Sequence, residues 1–163
     1  MRVRVGGRAD AVEIAAFLTR LSDRTVRLRY MMGRKMTPEA AWAEAMRMVG
    51  SESPHRTILV ASTTELIGLG ELVESQQEPR LAEIALVVRD DHQGVGHGTA
   101  LLGELIRLAG AKGITALRVS LLAENRAMRR LIARTGLPTR VEYAGGSLEM
   151  VLDLTAARMP AIA

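Results

Sequence analysis

The stretch "EIALVVRDDHQGVGHGTALLGELIRLAG", residues 83–110, decides how this chain folds. An apolar run ends in charges, glycines follow at 94, 96 and 98, and leucines then recur at helical spacing. The pattern predicts a strand, a tight turn and a helix over residues 99–111. Glycine accepts a positive φ and lets a ligand approach the backbone closely. The first turn of a helix offers unpaired N–H groups and the positive end of its dipole, which attract phosphate. The stretch therefore reads either as a plain strand-to-helix turn or as a cradle for a pyrophosphate.

Two common phosphate loops do not fit these residues. A Walker loop needs Gly-Lys-Ser/Thr, and no lysine lies between Lys35 and Lys112. A dinucleotide fingerprint needs G-x-G-x-x-G directly after the strand. Here the spacing is G-x-G-x-G, Thr99 stands where the third glycine belongs, and residues 89–93 intervene.

Working outward, "RVRV" alternates like a short strand, and Asp10 is placed to cap a helix whose stripe is Val12, Ala15, Ala16 and Leu18. Residues 22–36 read as irregular or helical, and Thr37-Pro38-Glu39 opens a further helix. "RTILVAS" and "LIGLGELVES", separated by "TTE", predict a hairpin, and "RLAEIALVV" a third strand. After the glycine turn come the strand "TALRVSLL", a helix from Asn125 ended by Gly136, and a hairpin closed by Gly145-Gly146. The order predicts one α+β domain over residues 1–163 with a mixed, mostly antiparallel sheet.

A chain of 163 residues suits one hydrophobic core. No apolar run approaches the ~18 residues of a membrane span, and "MRVRVGG" lacks a secretory signal, so a cytoplasmic protein without membrane contact is expected. Zero cysteines exclude disulfides and a thiol nucleophile, and the three histidines lack ligand spacing, so no metal site is expected. A net charge of +4 with one Trp, one Phe and two Tyr offers little for base stacking, which makes nucleic acid a poor partner. A multiply charged anionic ligand suits that charge better.

Gln93-x-x-Gly96-x-Gly98 between a strand and "TALLGEL" resembles the acetyl-CoA motif of the GNAT superfamily of N-acetyltransferases. "LLAENRAMRRLIARTGL" is similar to that family's next strand-to-helix segment, and the order of elements agrees from Arg2 to Leu154. "RLSDRTVRLRYM" and "AEIALVVRDDHQGVGHGTALL" look most like the catalytic domain of bacterial Pat-type protein lysine acetyltransferases. The resemblance implies the GNAT fold, a sheet splayed at the cofactor, and acetyl-CoA as cosubstrate. It implies pantetheine bonded to the backbone of Val87 and Val88. The pyrophosphate would meet N–H groups of Gln93, Gly94, Val95, Gly96, His97, Gly98 and Thr99. It implies a further contact from Asn125, which on its own residues is also a helix N-cap.

The resemblance makes Glu83 the general base. A lysine amine with pKa ~10.4 must lose a proton before it can attack an acyl carbon. Alternation puts Leu81, Glu83, Ala85 and Val87 on one face, where apolar neighbours would raise the carboxyl's pKa. Read without the family, Glu83 is equally a salt-bridged structural residue. Glu71 on the adjacent hairpin could face the same cleft as Glu83, although it and Glu149 read more simply as solvated sheet residues; Asp90 and Asp91 read as loop caps, and His97 as a surface or packing residue. Arg126, Arg129 and Arg130 lie where a 3′-phosphate would come, although an arginine run on a helix is usually a solvated face. The family's usual leaving-group tyrosine falls on Ile132, which leaves that step without an acid.

The expected acceptor is an amine, first a protein lysine, with a small amine or a protein N-terminus as alternatives. A non-catalytic acyl-CoA sensor is the reading from another class. Monomer and homodimer both remain open, and the acceptor cleft is expected from residues 22–53, the least patterned part of the chain.

Overall fold

The computed structural model describes residues 1–50 and 55–156. The chain runs through β1 (Arg2–Val5), α1 (Ala11–Thr19), α2 (Asp23–Tyr30), α3 (Pro38–Gly50), β2 (Arg56–Ser62), β3 (Leu66–Glu74) and β4 (Leu81–Val88). It continues with α4 (His97–Ala111), β5 (Ala116–Leu122), α5 (Arg126–Ala133), β6 (Thr139–Ala144) and β7 (Ser147–Asp153). The seven strands form one sheet in the order β1-β2-β3-β4-β5-β7-β6. Only β4 and β5 pair in parallel, so the expected mixed, mostly antiparallel sheet is present.

Strand alternation divides the core into two layers. Leu59, Leu72, Ala82, Ile84, Leu117 and Val119 join Leu101, Leu102, Leu105 and Ala109 of α4 on one face. Ile58, Val60, Leu69 and Val87 join Ile14, Phe17, Leu18, Val26, Ala41 and Ala45 of α1–α3 on the other. Each fully buried leucine contributes roughly 1.5–3 kcal/mol. At Gly70 an added Cβ would lie 3.2 Å from both Leu101 Cδ1 and Leu105 Cδ1, so glycine there lets α4 settle onto β3.

Local details depart from the sequence expectations in two places. The carboxylate of Asp10 does not cap α1; it accepts from Gly7 N at 2.8 Å and from Arg4 Nη2 at 2.5 Å, tying β1 to the turn before the helix. The buried stripe of α1 is Ala11, Ile14, Phe17 and Leu18, while Val12 is 68% exposed. Of the expected stripe, Leu18 is buried and Ala15 packs against the core, while Val12 and Ala16 face outward in a helix rich in small apolar residues. Ser22 caps α2 by accepting from Thr25 N, and Thr37 caps α3 by accepting from Ala40 N. No helix among the described residues is long and apolar enough to cross a membrane.

Candidate active site

The site begins where the sheet parts. β4 and β5 pair through Leu81↔Ala116, Ala82↔Leu117 and Glu83↔Arg118, and the pairing ends there. β4 stays with β3 as far as Val88, and β5 stays with β7 as far as Leu122. The two strands therefore diverge beyond Glu83 and open a wedge. A cavity of about 610 Å³ fills it, with walls from residues 85–88, from Val119, Ser120 and Leu121, and from α2 and α5.

One end of the cavity is the glycine turn. Gly94 has φ +80° and Gly96 φ +96°, conformations that cost an L side chain about 1–2 kcal/mol. Gly96 immediately precedes α4, so the helix starts at His97, two residues earlier than expected. Ala100 N–H is bonded to Gly96 O at 3.1 Å, which leaves the N–H groups just before it at the cavity end of the helix. An added Cβ at Gly94 or Gly96 would meet nothing within 4 Å. These two glycines answer a backbone requirement, while Gly98, with no positive φ, is an ordinary first-turn residue lining the cavity.

Gln93, Gly94, Gly96, Gly98, Thr99, Val87, Val88 and Asn125 all line this cavity. The side chains of Val95 and His97 lie outside its walls: Val95 is 69% exposed and the His97 ring stands 5.9 Å from that of His92. Only their backbone amides belong to the turn. Gln93 Nε2 donates to Val88 O at 2.8 Å, occupying one of that carbonyl's two lone pairs. Asn125 Oδ1 accepts from Met128 N at 3.1 Å and so caps α5. Arg24, Arg29, Arg130 and Arg134 line the same cavity against a single carboxylate, Asp90. Arg126 and Arg129 are not among its walls, and Arg129 Nη1 donates to Ala123 O instead. An arginine-rich cavity ending in free helix N–H groups fits an elongated anion with a diphosphate.

Asp90 joins the cavity floor to α2. It accepts from Ser22 N at 3.0 Å, Ser22 Oγ at 2.6 Å and Thr25 Oγ1 at 2.7 Å. Burial pushes its carboxyl upward, but the bonds from Ser22 and Thr25 outweigh this and hold it below the ordinary aspartate range. Asp91 serves Arg89, whose buried guanidinium also pairs with Glu65 at 2.7 Å. Hydrogen bonds from Arg89 and Arg20 bring the Glu65 carboxyl down to about 2.

Glu83 stands at the fork. Leu81, Glu83, Ala85 and Val87 do share a face, but the apolar surroundings expected for the carboxylate are absent. Its side chain is 65% exposed, and its nearest charge is Arg118 Nη1 at 3.9 Å. Ile132, at the position of the family's tyrosine, is 1% exposed in the core and is not among the residues lining the cavity.

A second cavity, of about 340 Å³, has Glu83 in its wall and shares Arg29, Ala85 and Ser120 with the first. The sequence reading missed it. Glu71, expected to be solvated, is 7% exposed and binds Arg29 at 2.7 Å, Arg56 at 2.6 Å and Arg47 at 3.4 Å. Burial alone would push the Glu44 carboxyl upward; Arg47, at 2.8 Å, more than reverses this and holds it below the usual range. The guanidiniums of Arg29 and Arg34 flank the Tyr30 ring at 5.1 and 4.8 Å. A signal existed in the sequence: a carboxylate inside the apolar strand "LIGLGELVE" must find cations when buried. Residues 51–53 of the expected acceptor segment lie outside the described residues. Among the described residues no group of three or more His, Cys, Asp or Glu side chains gathers to hold a metal ion.

Comparison with known proteins agrees with this architecture. The sequence model of the acetyltransferase (GNAT) domain family matches residues 6–138. The acetyltransferase Pat of Mycolicibacterium smegmatis is 35% identical over 71 residues, which are 44% of this chain and 21% of that protein. The chain thus matches about a fifth of that relative's length. The crystal structure of the GNAT domain of S. lividans PAT superposes with a TM-score of 0.82 at 23% identity, covering 93% of this chain and 89% of that one. The spermidine N-acetyltransferase of Vibrio cholerae, solved with CoA and spermine, gives 0.72 at 17% identity over 94% and 95%. The chain belongs to the acetyltransferase (GNAT) domain family.

Proposed function

We propose that the protein moves an acetyl group from acetyl-CoA to a primary amine, first of all a protein lysine, with Glu83 as the base. The observation that carries this reading is the fork of β4 and β5 at Glu83↔Arg118: it opens the cavity that ends in the glycine turn, and both residues stand in the wall of the second cavity. Bound acetyl-CoA would supply a thioester whose acyl carbon the amine attacks, the C–N bond forming as the C–S bond breaks.

The chain's own residues supply the rest. The amides of residues 94–99 grip the diphosphate, the Gln93 N–H being bonded to Asp90 O, with Arg130 of α5 and Arg134 just after it adding charge. The backbone of Val88, which faces the open edge of β4 while that of Val87 pairs with β3, holds pantetheine, and Asn125 stiffens the start of α5 beside it. Glu83 takes the ammonium proton directly or through one water, and its exposure keeps water within reach. Ile132 is buried, so the departing thiolate meets no tyrosine at that position. The sequence resemblance to the Pat-type protein lysine acetyltransferases supports a protein lysine as acceptor; the modest size of the second cavity favours a small amine as the other acceptor.

The test is a product search by mass spectrometry with labelled acetyl-CoA, run with lysate proteins and separately with a panel of amines. Acetylated lysine side chains are expected. Labelled small amines without labelled protein would replace the lysine reading, and heat from acetyl-CoA binding with no product anywhere would leave a sensor.

A further inference from the structure

The acyl-transfer reading leaves the acceptor's own chemistry open, and the second cavity bears on it. We propose that the acceptor is zwitterionic: its amine sits at Glu83, and a carboxylate carried several ångströms away is held by Arg47 and Arg56. This rests on the function proposed above and names its acceptor class.

The argument is one of uneven charge. The inner wall carries Arg29, Arg47 and Arg56 against Glu71, which leaves two positive charges over (3 − 1), and the Arg34–Glu44 pair behind it adds none. Guanidinium groups do not shed their protons in proteins, so the excess persists at any working pH. Arg29 and Arg56 each spend a single nitrogen on Glu71, out of five N–H donors apiece, whereas Arg47 engages all three nitrogens with Glu44 and Glu71 and keeps two N–H donors spare. The outer wall has the opposite sign. There Arg118 lines the cavity with Glu83 at 3.9 Å, and beyond the lining the same guanidinium faces Glu149 at 3.3 Å and Glu78 at 2.8 Å, so one cation meets three carboxylates.

Register fixes the distance between the two poles. Arg56 pairs with Val73, Val73 with Glu83, and Glu83 with Arg118, so the four stand in one row across the sheet. Strands lie about 4.8 Å apart, which puts the backbones of Arg56 and Glu83 roughly 10 Å from each other. An amine at Glu83 whose molecule extends toward β2 therefore meets guanidinium groups. A second ammonium there would be repelled, and a carboxylate would find bidentate donors. Two sources share this chemistry: a free amino acid, and a lysine flanked by acidic residues in a peptide.

Initial rates of CoA release distinguish them. One arm compares ω-amino acids of four to six carbons with the diamines of the same length; the other compares two lysine peptides that differ only in glutamate or arginine on either side of the lysine. At least a tenfold advantage in kcat/KM for the carboxylate-bearing member is expected in one arm, and the arm identifies the source. Arg47→Met and Arg56→Met should cut that advantage below threefold by raising KM more than they lower kcat, and Arg47→Lys should keep most of it. Calorimetry of the same amino acids and diamines with the intact protein reads the preference without turnover, so a variant that fails to fold leaves a decision in hand. Equal or better use of the diamines and the arginine-flanked peptide, matched by their binding, would overturn the proposal, as would an advantage that survives both methionine variants. Failure of acetyl-CoA itself to bind would strike the acyl-transfer reading instead, and the acceptor titration would still decide this one.

Discussion

The two cavities that meet at Arg29, Ala85 and Ser120 are built by opposite means. The cofactor side is made of consecutive backbone: two glycines at positive φ, the free N–H groups of α4, and one strand edge. The acceptor side is made of side chains from α2, α3, β2, β3, β4 and β5, brought together only by the finished fold. A backbone site depends on conformation and tolerates many side chains. A side-chain site depends on charge balance and changes with single substitutions. The cofactor side should therefore respond mainly to glycine substitutions, and the acceptor side to charge reversals and deletions.

The largest effect belongs to the residue at the fork. Glu83→Gln removes the base and keeps the shape, so kcat should fall roughly 10²–10⁴-fold while heat from acetyl-CoA binding stays as in the wild type. Unchanged turnover would move the base elsewhere or make solvent the proton acceptor. Gly96→Ala comes next. The methyl would meet no atom within 4 Å, so its cost is the φ of +96° alone, about 1–2 kcal/mol and hence about tenfold in affinity for acetyl-CoA if the turn relaxes to escape it. Gly98→Ala separates conformation from contact. Its Cβ would sit 3.6 Å from Leu131 Cδ2, an ordinary distance, and alanine favours a helix over glycine by up to about 1 kcal/mol. The melting temperature should hold or rise while acetyl-CoA binding weakens severalfold, because the methyl enters the cavity. A loss of both in Gly98→Ala would erase the distinction between the two glycines.

The same contrast explains what the sequence made legible. "HQGVGHG" between an apolar strand and a leucine-rich helix carries its function in neighbouring residues, and eight of the ten expected cofactor residues line the cavity with their own atoms. Hairpins at residues 63–65 and 145–146 and the helix ended by Gly136 were equally local. Glu71 was misread because burial is not a local property: three arginines from α2, α3 and β2 converge on it across 15 to 42 residues of chain. The environment of Glu83 was misjudged for the same reason. Alternation gave its face correctly, but the end of the β4–β5 pairing, which exposes it, depends on where β5 turns away.

Asp90 is where the two regions are joined, and its removal gives the smallest effect and the most informative one. Its carboxylate ties the start of α2, whose Arg29 reaches Glu71, to the loop that leads into the glycine turn. The folded pKa lies below the unfolded value of about 3.9, so the contribution to stability is complete above that pH and disappears as pH falls through the lower folded value. Asp90→Asn should therefore lower unfolding free energy by about 1 kcal/mol at pH 7, a figure reduced for solvent screening at this exposed site. The difference from wild type should close as pH falls below about 4, as denaturant titrations at stepped pH would read. Two forces on acetyl-CoA then compete in the variant. Deleting a negative charge from a cavity lined by four arginines strengthens anion binding, and loosening α2 weakens it. If Asp90 is the tie between the regions, the second force prevails, and the affinities for acetyl-CoA and for the acceptor fall together. Tighter acetyl-CoA binding with an unmoved acceptor KM would mean that α2 is held by its apolar packing alone, and that the two cavities share a wall without sharing a support.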